Sequence, residues 1–381
     1  MQKEIIVIGD VEIGAGNLTD DFISDKALSE LILSLAKKKH PLDLIMNGDT
    51  FDFLKCPFLK EEKYIYPRHI TKDVSLGKLD LMHQAHTRLF EAWKQFAAVK
   101  DHHLYFIIGN HDHDLFFPEV QQQLRKLIGG NIHFPGLKYS FHTVYVEHGQ
   151  QYDFLHQVNF KNLFVKYKGQ SLLNFPWISF GLISAFMDLK QDHPFMERIG
   201  PRPIMLYLHS FLLRKVSLRS LGYFMKSILY YPFRYYADPT YRFPQRLFGE
   251  LVRRMKSNHW DVDDIVSVFK RKRGPVLQKH KVYVLGHIHK KYIEQRRDCV
   301  IIHPGSWRDE YTVDTKNRIL VPKKKHYVQI YVFADKLEHR VKEYPILRSG
   351  FLFDEVRKNE LLYLQLAAME EGYELKLPAR Q

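Results

Sequence analysis

Apolar and polar positions along the chain fall into short runs that each end in a polar cluster. Lys3–Ile8 is a β-branched run followed by Gly9-Asp10-Val11-Glu12 and the turn-forming Ile13-Gly14-Ala15-Gly16-Asn17. A continuous apolar run of this length reads as a strand buried on both faces. In residues 24–39, Ala27, Leu28, Leu31 and Leu35 recur at helical spacing. Residues 42–46 form a second buried run, ending in Asn47-Gly48-Asp49-Thr50-Phe51-Asp52. Strand, helix and strand in that order predict parallel pairing through a right-handed crossover.

Farther along, residues 55–73 read as a loop and 76–99 as one long helix. A third strand at 104–108 delivers Gly109-Asn110-His111-Asp112. Residues 137–146 alternate like a single strand and lead to Glu147-His148-Gly149, with Asp153 shortly after. Runs at 281–285 and 299–302 end in Gly286-His287-Ile288-His289 and His303-Pro304-Gly305-Ser306-Trp307. Strands at 327–333 and 339–344 close the sheet, and 355–369 is a terminal helix. Ligands of open α/β sheets bind at the carboxyl ends of the strands, which is where these polar clusters lie.

Composition narrows the class. With 381 residues, 45% hydrophobic and 26% charged, the chain has ample material for a buried core and the balance of a globular protein. The formal net charge is +14, and it is unevenly placed. Residues 160–280 carry 21 Lys and Arg against 8 Asp and Glu. Such a segment attracts nucleic acid, anionic lipid or phosphorylated substrates. The two cysteines, Cys56 and Cys299, give neither a disulfide framework nor zinc spacing, which points to a reducing compartment. No basic-then-apolar leader precedes the first strand, so a cytoplasmic protein is expected.

The strand ends carry Asp10, Glu12, Asp49, Asn110, His148, His287 and His289. This mixed oxygen and nitrogen set suits Mn²⁺, Fe²⁺ or Zn²⁺ better than Ca²⁺. Seven ligands exceed the needs of one ion, and a pair bridged by a carboxylate is the simplest arrangement. Such a pair clamps the attacking and leaving oxygens of an in-line displacement at phosphorus.

Asp10-Val11-Glu12, Gly48 to Asp52, Gly109 to Asp112, His148-Gly149 and Gly286 to His289 resemble, in order and spacing, the motif series of the calcineurin-like metallophosphoesterases. The resemblance covers residues 1–155 and 280–345. It implies a four-layer α/β/β/α metallophosphoesterase sandwich with two divalent metal ions, Mn²⁺ first, with Fe²⁺, Zn²⁺ or Mg²⁺ as alternatives. By the resemblance, Asp10, Glu12, Asp49 and His289 hold one ion, and Asp49, Asn110, His148 and His287 the other. His111 is the general acid or transition-state stabiliser, Asp112 orients it, and Asp52 stands behind the ligands. A metal-bridging hydroxide attacks phosphorus.

Position 12 departs from the family, which has His there. Glu makes the first metal position harder and more negative, favouring Mn²⁺ or Mg²⁺ over Zn²⁺.

More than one hundred residues separate His148 from the last His motif, and they form a basic, aromatic-rich insertion at 156–280. Residues 174–187 and 203–213 are apolar, and 220–243 crowd Tyr and Phe between cations. None of these stretches reaches the roughly 20 apolar residues of a membrane span, so interfacial or capping helices are expected. Within the superfamily the chain is similar to the UDP-2,3-diacylglucosamine pyrophosphohydrolases, peripheral membrane enzymes with an acyl-binding helical insertion. They share the strand-end motifs, the form His148 to Asp153 and the basic insertion, but they are shorter and carry His at position 12.

The resulting expectation is a core at 1–155 and 281–346, a helical cap at 156–280, and a terminal helix and tail at 347–381. The expected function is a phosphoesterase or pyrophosphohydrolase acting on a phosphoanhydride or phosphoester in an amphipathic, lipid-linked substrate. It would work at the cytoplasmic face of an anionic membrane. Alternatives are a nucleotide or nucleic-acid phosphodiesterase and a non-catalytic membrane-surface scaffold.

Overall fold

The computed structural model describes residues 1–200, 209–242, 263–273 and 279–375, with positions 249 and 277. Two sheets face each other at its centre. The first has the strand order Leu337–Tyr344, Lys325–Val332, Lys3–Ile8, Leu42–Asn47, His102–Ile107, Ile132–Gly136. Its last four strands run parallel, with Ile6 opposite Leu44 and Leu44 opposite Leu104. The second has the order Tyr292–Gln295, Val300–His303, Val282–Val284, Val144–Glu147, Lys138–Phe141, and its three central strands are parallel.

Alternation along the strands assigns the layers. Ile5, Val7, Ile45 and Ile107 meet Val144, Val146, Val282, Val284, Val300 and Ile302 between the sheets. Their neighbours Ile6, Ile8, Leu44, Met46, Leu104 and Phe106 face the other way. There they pack on helices Asp25–Ala36, Lys72–Ala85, Thr87–Ala97 and Pro118–Ile128. On the outer face of the second sheet, Tyr145, Tyr283, Leu285 and Ile301 pack with Phe269 of helix Asp263–Arg273. The order helix, sheet, sheet, helix is the expected α/β/β/α sandwich.

Several elements differ from expectation. The helix expected at 76–99 is two helices, Lys72–Ala85 and Thr87–Ala97, broken at His86. The His86 ring is buried, with Nε2 2.9 Å from Asp20 Oδ2 and Nδ1 3.1 Å from Asp25 Oδ1. Apolar spacing continues across the break, so periodicity does not reveal it. The strand expected at 137–146 is a hairpin of Lys138–Phe141 and Val144–Glu147, reversing at His142 with φ 48°. Within the expected loop 55–73, Phe58–Lys60 pairs with Lys63–Ile65. The terminal helix divides into Phe353–Lys358 and Glu360–Glu370, because Asn359 Oδ1 accepts the Leu362 N–H at 3.2 Å and starts a new helix.

A further sheet, unforeseen, joins Ile199–Gly200, Tyr311–Asp314, Ile319–Pro322 and Phe351–Leu352. It lies on the apolar cluster of Phe186, Leu189, Phe195, Leu212 and Leu364, which joins helices Trp177–Asp192 and Ser210–Leu229 to the C-terminal helices.

Between residues 156 and 280, the apolar stretch 174–187 begins helix Trp177–Asp192, and 220–242 lies in helices Ser210–Leu229 and Tyr231–Tyr235 and the turn after them. The apolar residues 203–208 lie outside the described residues. Among the described residues, no helix is long and apolar enough to cross a membrane.

Candidate metal centre

Asp10 and Glu12 follow strand Lys3–Ile8, and Asp49 and Asp52 follow Leu42–Asn47. Asn110 to Asp112 follow His102–Ile107, His148 follows Val144–Glu147, and His287 and His289 follow Val282–Val284. All seven predicted ligands therefore leave the same edge of the paired sheets. Asp10, Glu12, Asp49, His287 and His289 have φ of 52°, 54°, 47°, 75° and 49°. Left-handed backbone costs a non-glycine residue on the order of 1–3 kcal/mol and persists where the surroundings over-determine it, typically at functional sites. Two glycines allow the crowding. A Cβ on Gly109 would overlap the Asp49 carboxylate, and one on Gly48, at φ 74°, would lie 2.5 Å from the His148 ring.

Asp49, His148 and His287 form one cluster, each offering a ligand atom within 4.8 Å of the others. His148 Nδ1 donates to the Asn47 carbonyl at 2.9 Å. Its Nε2 lies 3.1 Å from Asp49 Oδ2 and 3.2 Å from Asn110 Oδ1. Asn110 Oδ1 is also 2.7 Å from His287 Nδ1, whose other nitrogen is 3.1 Å from Asp153 Oδ2. A neutral His148 holding its proton on Nδ1 points a lone pair at two further acceptors. A second proton on Nε2, or a metal ion between these atoms, satisfies that arrangement. Burial disfavours a charged His148 ring, yet Asp49 and Asp10 outweigh it and push its pKa up to about 10. Nearby, Asp10 Oδ2 is buried without a hydrogen-bond partner. Orphaned oxygen, facing acceptors and a fixed imidazole tautomer fit a divalent ion.

A second cluster comprises Glu12, Asp52 and His111, again within 4.8 Å. His289 adjoins it, with Nε2 3.3 Å from Glu12 Oε1 and 3.4 Å from Asp10 Oδ1. Glu310 takes the other nitrogen of His289 at 2.9 Å, the way carboxylates orient metal-binding imidazoles. Although burial favours the neutral acid, Arg308 and Lys55 hold Glu12 well below the usual carboxylate range.

The sequence reading assigns Asp112 to orient His111, but in the structure the carboxylate on the ring is Asp52. His111 Nδ1 is 2.8 Å from Asp52 Oδ1, so Asp52 orients the ring. Asp112 instead accepts backbone N–H groups, from Gly109 and, at 3.0 Å, from Thr50, and so pins the second and third strand ends together. Burial, reinforced by Asp49, raises the Asp112 pKa to about 8.

Sequence reasoning also missed Lys55, Arg308, Glu310 and Asp21, all buried around the cluster. Lys55 lies three residues past Asp52, and Arg308 and Glu310 follow the Pro304-Gly305-Ser306 turn. That proximity was the available signal. Elsewhere, His193, His209 and Glu360 form a comparable group. There His209 Nδ1 accepts the Leu212 N–H at 3.3 Å, which puts the ring proton of the neutral form on Nε2 and leaves no lone pair for a metal.

Neither a protein-family model nor a curated protein matches this chain. Among solved structures, one is similar at 11% identity and TM-score 0.32, over 91% of this chain and 100% of its own. Another is a putative 5'-nucleotidase from Staphylococcus aureus in complex with alpha-ketoglutarate, at 13% identity and TM-score 0.31. It is matched over 96% of this chain, which spans 58% of that longer one. Likeness at this level carries no weight for activity. The class rests on the chain's own architecture: mixed sheets flanked by helices in a metallophosphoesterase-like α/β/β/α sandwich, with two clusters of metal-ligand side chains at its strand ends.

Proposed function

We propose that the protein is a di-metal phosphoesterase or pyrophosphohydrolase acting on an amphipathic phosphorylated substrate, of which a UDP-diacylglucosamine-like molecule is the model. The observation that carries the reading is the meeting of Asp49, Asn110 and His148 side-chain atoms around one point, with the His148 ring oriented by the Asn47 carbonyl. In this reading Asp49, Asn110, His148 and His287 hold one ion, and Asp10, Glu12, Asp49 and His289 the other. Bound divalent ions would supply Lewis acidity toward phosphoryl oxygens and lower the pKa of water. His111 has Nδ1 committed to Asp52, which leaves Nε2 to stabilise or protonate the leaving oxygen.

The cap supports the choice of substrate. Along helix Ser210–Leu229, Phe211, Leu218, Leu221, Met225 and Leu229 are exposed at helical spacing, and Phe233 follows at 77% exposure. Arg214, Lys215, Arg219, Lys226 and Arg234 lie among them. Apolar side chains rimmed by cations suit the headgroup region of an anionic bilayer. Peripheral attachment at the cytoplasmic face of a membrane follows from this reading.

The deciding experiment refills metal-stripped protein with Mn²⁺, Mg²⁺, Zn²⁺ or Fe²⁺ and measures turnover of bis-p-nitrophenyl phosphate and of UDP-2,3-diacylglucosamine beside free nucleotides. Mn²⁺-dependent cleavage of the acylated substrate, well above that of the nucleotides, is the expected result. Preference for free nucleotides or single-stranded DNA would move the assignment to a nucleotide or nucleic-acid phosphodiesterase. Metal binding without turnover of any substrate would favour a scaffold.

A further inference from the structure

The Glu12 carboxylate is the ligand that departs from the family pattern, and both its oxygens are already engaged. Lys55 Nζ lies 2.7 Å from Oε2, and Arg308 Nη1 lies 3.1 Å from Oε1. Neither cation is available to leave for solvent, since Lys55 and Arg308 side chains are only 4% and 3% exposed. They are held in turn by a second layer. Asp21 Oδ2 is 2.8 Å from Lys55 Nζ and 2.7 Å from Arg308 Nη2, and it also accepts Lys190 from the inserted helix Trp177–Asp192. Arg198 contacts the other Asp21 oxygen at 3.5 Å, and Asp52 Oδ2 is 2.8 Å from Lys55.

Among the described residues, no Lys or Arg is paired with the other ligand cluster. Asp49, Asn110 and His148 face one another, and the atoms behind the imidazoles are acceptors, the Asn47 carbonyl and Asp153. The two halves of the centre therefore present different potentials to an incoming dication. One offers a carboxylate, an amide oxygen and two imidazoles whose contacts are mainly with one another. The other offers a carboxylate whose two oxygens are each already paired with a fixed cation, so that a dication must compete for them.

We infer that Lys55 and Arg308 make the two metal positions unequal: the Asp49, Asn110, His148 and His287 position fills first and tightly, and the Asp10, Glu12 and His289 position fills last and exchanges. The inference rests on the di-metal reading proposed above. It gives the cation cluster the role of setting occupancy, and it places Lys190 of the cap in contact with that control through Asp21.

The test uses metal-stripped full-length protein titrated with Mn²⁺, followed by calorimetry and electron paramagnetic resonance. The first equivalent should give the spectrum of isolated Mn²⁺. The second should bind at least tenfold more weakly and bring in the spin-coupled spectrum of a neighbouring pair. Arg308→Gln should tighten the second class severalfold while leaving the first unchanged, because Glu12 loses a competitor but keeps Lys55. Lys55→Gln provides the same comparison should Arg308→Gln fail to fold, and the wild-type isotherm stands by itself.

Coupled signal from the first addition, with two equal affinities, would overturn the inference while leaving the di-metal reading intact. So would a second class indifferent to both substitutions. Failure to bind Mn²⁺ at all would remove the di-metal reading and the inference with it.

Discussion

His111 and Asp52 form a pair whose geometry defines separate roles. The 2.8 Å contact fixes the imidazole without placing Asp52 among the proposed ligands. Asp52→Asn should lower kcat about 10²-fold, in the range that a mispositioned acid or base costs. The bound metal, measured by plasma emission, should stay at the wild-type amount. His111→Ala should lower kcat at least as far with the same metal content. Loss of metal from either variant would make the pair part of the binding site instead. The Asp52 partnership was hidden from sequence reasoning because Asp112 is adjacent to His111 in the chain, whereas the loop turn directs the Asp112 carboxylate onto the Gly109 and Thr50 amides.

At the scale of elements, helix Ser210–Leu229 divides its side chains between two environments. Leu212 and Ser227 are buried, and Ser227 Oγ takes the Trp177 indole N–H at 3.0 Å. Leu218, Leu221 and Met225, at 59%, 58% and 44% exposure, face solvent. Replacing these three with Ser should weaken flotation with anionic liposomes at least tenfold, since each loses roughly 1–2 kcal/mol of burial in the interface. The melting temperature should stay within a few degrees, because exposed positions contribute about 0.5 kcal/mol or less to folding. Unchanged flotation would take the membrane out of the proposal. Apolar and basic composition had pointed to this segment, but composition does not say which face of a helix its neighbours cover.

The whole molecule is closed by contacts between distant segments, and His86 is one of them. Its ring lies between Asp20 and Asp25 and stacks on Tyr373, with ring centroids 5.2 Å apart. Burial lowers the His86 pKa, but the two carboxylates outweigh it and raise it to about 9. A histidine whose folded-state value exceeds its unfolded value of about 6.5 stabilises the fold fully below that value. The contribution is then lost as pH rises through about 9. Relative to His86→Gln, wild-type protein should therefore lose stability on the order of 3 kcal/mol between about pH 6.5 and pH 9, read from urea midpoints. A pH-independent difference between the two proteins would show that His86 is not charged in the fold.

Sequence by itself determined the layered core and the identities at the strand ends. Both are written in local pattern: β-branched runs such as Lys3–Ile8 sit between two apolar layers, and Gly-Asp, Gly-Asn-His-Asp and Gly-His-Ile-His end their strands at the sheet edge. Tertiary structure alone decided which charges share a site. Lys55 and Arg308 are 253 positions apart and Asp21 comes from a third segment, yet all three close on Glu12 or its partners. The break at His86 and the further sheet around Tyr311–Asp314 belong to the same category. Periodicity reports how a segment divides its own faces between apolar and polar surroundings. Charge pairing and side-chain anchoring depend on what another segment brings to that face, and no local pattern carries that information.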